Sequence, residues 1–134
     1  MTDAQSVFDE LLRHVAQRYP DATIDVRPAL QVRDVVIADI ERPNAVVPDV
    51  QLIAAEGGAF TLAFVGRYTF ECLPIEDLPD FLASLYEARY TVKERRFPWA
   101  LLSLTVWFKD DVLRAVVRYR PGDLDEWEIE ALQR

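Results

Sequence analysis

The chain is 134 residues long, 51% hydrophobic and 28% charged, the size and balance of one globular domain that buries a core without covalent staples. Its formal charge is −8, with one cysteine and one histidine. Those numbers exclude an internal disulfide, leave too few soft ligands for an ordinary zinc site, and oppose nucleic-acid binding, which relies on Lys and Arg neutralising phosphates.

In chain order, Thr2 and Gln5 read as the two halves of a capping box. Val7, Phe8, Leu11, Leu12, Val15, Ala16 and Tyr19 then recur at helical spacing until Pro20 and Asp21. His14 sits beside that stripe among Arg13, Gln17 and Arg18, as a surface histidine would. Strand patterns follow from Thr23 to Arg27 and from Val32 to Ile40, then a loop carrying Pro43, Asn44 and Pro48. Val50 to Ala55 and Ala59 to Val65 flank Gly57-Gly58, a dipeptide that supplies the positive φ of a tight hairpin. Counting outward pairs Ala55 with Phe60, Ala54 with Thr61, Ile53 with Leu62, Leu52 with Ala63 and Gln51 with Phe64. Both faces are apolar, which places this hairpin centrally in its sheet, and Gly66 marks a bulge before a further strand to Leu73.

Asp77 caps a second helix with a stripe of Leu78, Phe81, Leu82, Leu85 and Tyr86. Tyr90 to Phe97 reads equally as an extension of that helix or as an edge segment. Trp99 to Phe108 and Val112 to Arg120 form a last hairpin. A turn centred on Asp110-Asp111 pairs Phe108 with Leu113, Val106 with Ala115, Leu104 with Val117 and Leu102 with Tyr119 on the core face. Asp123 and Glu126 then cap a short final helix. The expected fold is a single α+β domain over residues 1–134, with a mainly antiparallel sheet and N-terminal, central and short C-terminal helices.

Reaction chemistry finds little to stand on. Ser6, Ser84 and Ser103 lack a nucleophile-elbow context, and Cys72 lies beside acidic Glu71 rather than beside the basic groups that activate a thiol. Asp110-Asp111 and the acids from Asp123 to Glu126 lack the twelve-residue calcium-loop pattern, and Gly57-Gly58 lacks the Lys of a phosphate loop. Paired carboxylates lining a pocket remain open as an alternative, in a small ligand-binding domain or enzyme. The outer face of the last hairpin is more informative. Trp99, Leu101 and Trp107 share it with Arg114, Arg118 and Arg120, residue types that anchor protein interfaces. Alternatively the last helix folds back over this face, packing Trp127 on it and pairing its acids with the arginines.

The run Phe97-Pro98-Trp99, the alternating Leu102, Leu104 and Val106, the acidic turn and the strand ending at Tyr119 resemble YezG-like immunity proteins, small cytosolic antitoxins of polymorphic toxin systems. The chain departs from that family's pattern at Asp110-Asp111, where a turn glycine is usual, and at Arg118 and Arg120, where acids flank the tyrosine. The element order and low pI also resemble type III secretion chaperones, which are homodimers. The resemblance implies an immunity-type inhibitor that masks the active site of a toxin domain, such as a basic nuclease. Its contacts would be Trp99, Trp107, Arg114, Arg118, Arg120 and Trp127, with the acids Asp123, Asp125, Glu126, Glu128 and Glu130. On this reading the protein is not an enzyme, needs no cofactor or metal, meets neither nucleic acid nor membrane, and works in the cytoplasm as a monomer or homodimer. Polar Met1 to Gln5 and the lack of any run near ~18 apolar residues underlie that location. A secretion-chaperone-like dimeric adaptor is the alternative.

Overall fold

The computed structural model describes residues 4–55, 60–109 and 111–134. In chain order these form α1 (Ala4–Arg18), β1 (Thr23–Pro28), β2 (Val35–Glu41), β3 (Val50–Ala55), β4 (Phe60–Val65) and β5 (Tyr68–Pro74). A single 3₁₀ turn (Ile75–Asp77) leads into α2 (Leu78–Tyr86), followed by β6 (Tyr90–Arg95), β7 (Leu101–Phe108), β8 (Asp111–Arg118) and α3 (Glu126–Leu132). The fold is α+β, as the segregated strand and helix patterns indicate. Among the described residues the strands are all antiparallel and make two sheets, ordered β1-β2-β3-β4-β5 and β6-β7-β8. No described helix is long and apolar enough to cross a membrane.

Alternation in the strands decides the faces. Val36, Ala38 and Ile40 on β2, Val50, Leu52 and Ala54 on β3, and Ala63 and Val65 on β4 turn inward. Phe8, Leu12 and Val15 of α1 and Leu78, Phe81, Leu82 and Leu85 of α2 close over the interior. The β3–β4 pairs Gln51–Phe64, Leu52–Ala63, Ile53–Leu62 and Ala54–Thr61 match the register counted from the sequence, and the hairpin is central in its sheet. Its turn residues lie outside the described residues, as do Thr2 and the side chain of Gln5. Ala16 of the expected α1 stripe is exposed.

Two chains of edge-to-face aromatic rings tie the sheets together. Phe81 of α2 stands between Phe70 of β5 at 5.1 Å and Phe108 of β7 at 6.3 Å. Trp127 of α3 stands between Tyr68 of β5 at 5.7 Å and Tyr90 of β6 at 5.9 Å. Each ring both fills volume and fixes the angle of its neighbour, which is worth about 0.5–1.5 kcal/mol per pair beyond burial.

Several local expectations are corrected. Gly66 is not a bulge but the first residue of the β4–β5 turn, at φ +57. A Cβ there would stand 3.2 Å from Pro48 Cγ, so the turn needs glycine both for its backbone and for room. The irregularity in this pair lies instead between Thr61 and Ala63. Asp77 occupies the α2 N-cap position but makes no cap hydrogen bond; its carboxylate lies 3.7 Å from Lys109 Nζ. Tyr90 to Arg95 is an edge strand rather than a helix extension.

In the last hairpin Phe108 faces Asp111, Leu104 faces Ala115 and Leu102 faces Val117, two residues from the expected register. The connection is therefore a tight two-residue turn, and Lys109 takes the positive φ of +52 that such turns need. A two-residue shift preserves the faces, so Leu102, Leu104, Val106 and Phe108 are buried as expected.

Candidate docking face

The outer face of β6-β7-β8 is open. It presents Thr91, Lys93 and Arg95 on β6, Leu101, Ser103 and Trp107 on β7, and Val112, Arg114, Val116 and Arg118 on β8, while Thr105 on the same side is buried against Arg114. Trp107 is 42% exposed and Val116 58%, so no element of the described chain covers the middle of the face. Trp99, in the β6–β7 loop, is 59% exposed, and the Arg118 guanidinium lies 5.5 Å from its ring centroid. Phe97 of the same loop is also exposed.

Lys93, Arg95, Arg114 and Arg118, with Arg120 at the next outward position, give five cations on this face. No described Asp or Glu shares it, and among the described residues none of the five forms an ion pair. Their polar contacts are short-range and neutral: Arg114 Nε donates to Thr105 Oγ1 at 3.2 Å, and Arg95 Nε donates to the Phe97 carbonyl at 2.8 Å. A block of unpaired guanidinium and indole groups in a protein of net charge −8 is a strongly segregated charge distribution.

The C-terminal helix does not fold back over this face. It packs against β6 from the core side, and Trp127 is 6% exposed between Tyr68 and Tyr90. Its capping box is Asp125 with Glu128, not Asp123 with Glu126. Glu128 is completely buried. It accepts hydrogen bonds from Tyr68 Oη, from Arg67 Nη2 at 2.8 Å and from the Asp125 amide at 3.0 Å. Arg67 Nη2 also donates to the Asp123 carbonyl at 2.8 Å. Burial, together with the hydrogen bond to Glu128, pushes the Tyr68 phenol well above its ordinary pKa. Trp127 and Glu128 are thus internal supports, not partner contacts. Asp123, Asp125, Glu126 and Glu130 remain exposed, away from the arginines they were expected to meet.

The remaining candidates are placed plainly. His14 is exposed on the wall of a groove of about 470 Å³ between α1 and the 3₁₀ turn, with Glu10, Gln17 and Glu76. Cys72 is exposed at φ +56. A carboxylate-lined hollow exists on the outer face of the first sheet, bounded by Asp25, Asp39, Glu41 and Asp49, but at about 200 Å³ it is smaller than ordinary ligand pockets. Its central carboxylate is already used: Arg27 and Gln51 both donate to Asp39. Burial alone would raise the Asp39 pKa, but those two hydrogen bonds outweigh it and hold the carboxyl below its ordinary range. Among the described residues no His, Cys, Asp and Glu group has metal-holding geometry.

Sequence reasoning found Trp99, Trp107, Arg114, Arg118 and Arg120 and placed Val116 on the same face, but missed Lys93, Arg95 and Val112. The signal for the first two is the odd-numbered spacing of Lys93 and Arg95, which shares a face only once residues 90–95 are a strand. No protein-family model matches the chain, no curated protein matches it, and no solved structure does.

Proposed function

We propose that the chain is a protein-binding module whose docking surface is the outer face of β6-β7-β8, consistent with the immunity-type inhibitor that its C-terminal half resembles. The observation that carries this reading is the open cluster of Trp99, Trp107 and five cations without a described carboxylate. Charge segregated this way costs self-repulsion and contributes nothing to the fold, whereas it speeds encounter with a surface of opposite sign. The face fits an acidic patch on the partner. The exposed acids Asp123, Asp125, Glu126 and Glu130 lie elsewhere and suit a basic rim around such a patch. The test is calorimetric titration of the protein encoded by the adjacent gene, whatever its class, into wild type, Trp107→Ala and Arg118→Glu. Each variant is expected to bind about thirtyfold more weakly, the ~2 kcal/mol of an interface hot spot. Wild-type affinity in both variants overturns the assignment of the face, and no binding by wild type overturns the inhibitor reading.

A second reading, a dimeric adaptor, draws on the first sheet. Ile37, Ile53, Leu62 and Phe64 line its outer face half-buried, and Phe60 beside them is 56% exposed. It requires a stable dimer by light scattering, and a monomer at high concentration rejects it.

A further inference from the structure

β6 is an outer strand with a free hydrogen-bonding edge. The Trp107 amide donates to the Arg89 carbonyl, which fixes the alternation: Thr91, Lys93 and Arg95 bond to β7. The N–H and C=O groups of Val92 and Glu94 therefore point away from the sheet. The same direction holds for Ala88 and Tyr90, whose carbonyls accept from Arg134 Nη1 at 3.3 Å and Nη2 at 3.4 Å. Beyond Tyr90 the edge has no such cap among the described residues.

That edge forms one wall of a groove of about 660 Å³. Tyr90 to Glu94 line it along the strand, and Ala131, Leu132 and Arg134 of the C-terminal segment line the opposite side. The outward main-chain groups of Val92 and Glu94 thus lie along one side of the groove, with Ala131 and Leu132 across it. The opposite outer edge of the fold is built otherwise. On β1 the Ala29 amide bonds to the Val35 carbonyl, so the even positions face outward, and one of them is Pro28, which has no N–H to offer. β6 carries no such stop.

We propose that β6 is a strand-addition site: an extended, acidic segment of the partner pairs with Val92 and Glu94 and continues the second sheet. This deepens the docking-face reading and rests on it for the source of the segment. Charge selects the occupant. Lys93 and Arg95 stand on the outer side of the edge and Arg134 on the inner side, while the one carboxylate in the groove, Glu94, is already engaged by Tyr119 Oη and by Arg96 at 3.3 Å. A second copy of β6 would set Lys93 and Arg95 against the same cations, which is unfavourable for residues opposite or diagonal in a ladder. An acidic strand meets them with opposite sign, and its outward side chains continue directly onto the Trp107 face.

The experiment is amide hydrogen exchange by NMR on the full chain, alone and with a synthetic octapeptide of alternating Glu and Val. The Val92 and Glu94 amides, which exchange readily in the free protein, should slow by about tenfold or more, while the Lys93 amide, already bonded to β7, should not change. The alternating Lys–Val octapeptide, and the Glu–Val peptide with Lys93→Glu/Arg95→Glu, should give no protection. Chemical-shift changes confined to Trp107, Val112 and Val116, without slowing at Val92 and Glu94, overturn the strand-addition site and leave the docking face standing. Binding of single-stranded oligothymidine at the face with no effect of either peptide overturns both readings, and no response to any probe does the same.

Discussion

The two sheets each leave one face uncovered, and they treat charge in opposite ways. On the first sheet Arg27 bonds to both Asp25 and Asp39, and Gln51 bonds to Asp39, so the charged groups answer one another across β1, β2 and β3. On the second sheet the cations of β6 and β8 have no described anion to answer them. The first arrangement answers its one arginine with two carboxylates, while Glu41 and Asp49 of the same hollow have no ion pair among the described residues. The second leaves its cations without a described anion in the chain, and that is the observation on which the docking proposal rests.

Three substitutions test that contrast. The largest effect belongs to the core beneath both faces. Leu104→Ala empties a fully buried position at the centre of β7 and is expected to lower stability by about 2–5 kcal/mol in urea denaturation. A loss well under that range would mean the second sheet repacks easily and cannot hold its outer face rigidly.

A smaller effect is expected from Asp39→Asn on the outer face of the first sheet, about 0.2–1 kcal/mol at neutral pH. The sign follows from the lowered carboxyl pKa. Stabilisation by Asp39 is fully present above the ordinary carboxylate value of 3.8 and is lost as pH falls through the lower value of the folded state. Wild type and variant should therefore converge in denaturation curves near about pH 2. A constant difference across that range would show that packing, not ionisation, is what the substitution removes.

The smallest effect is expected on the open face. Lys93→Glu removes one of five like charges without breaking any ion pair among the described residues, and stability should change by less than about 0.5 kcal/mol, in the stabilising direction. A marked loss would show that Lys93 supports the fold, and the contrast between the faces would weaken accordingly.

Much of this was legible in the residues, and where it was not the reasons are physical. The β3–β4 register follows from counting outward from two glycines that fix the turn, while the apolar character of both faces indicates only the central place of the hairpin. The last hairpin has two solutions, because registers two residues apart bury the same Leu102, Leu104, Val106 and Phe108; only the backbone of Lys109 distinguishes them. The α3 capping box is similarly degenerate. Asp123 with Glu126 and Asp125 with Glu128 have identical spacing, and the choice falls to the pair whose glutamate finds Arg67 and Tyr68 waiting inside. β6 is hidden in the sequence because Glu94 stands at an inward position beside Tyr90 and Val92, so the segment lacks the clean apolar–polar alternation of a half-buried strand. Two of the five cations on the outer face are hidden with it.

The three tryptophans turn this architecture into an optical instrument. Trp127 is enclosed by Tyr68 and Tyr90, so its fluorescence is expected to be shifted to the blue, shielded from acrylamide, and sensitive to whether the last helix is seated. Trp99 and Trp107 emit from an aqueous setting and are open to the same quencher. With a phenylalanine at either set of positions, one emission band should follow unfolding and the other the solvent access of the outer face of β6-β7-β8, without a label attached to the protein.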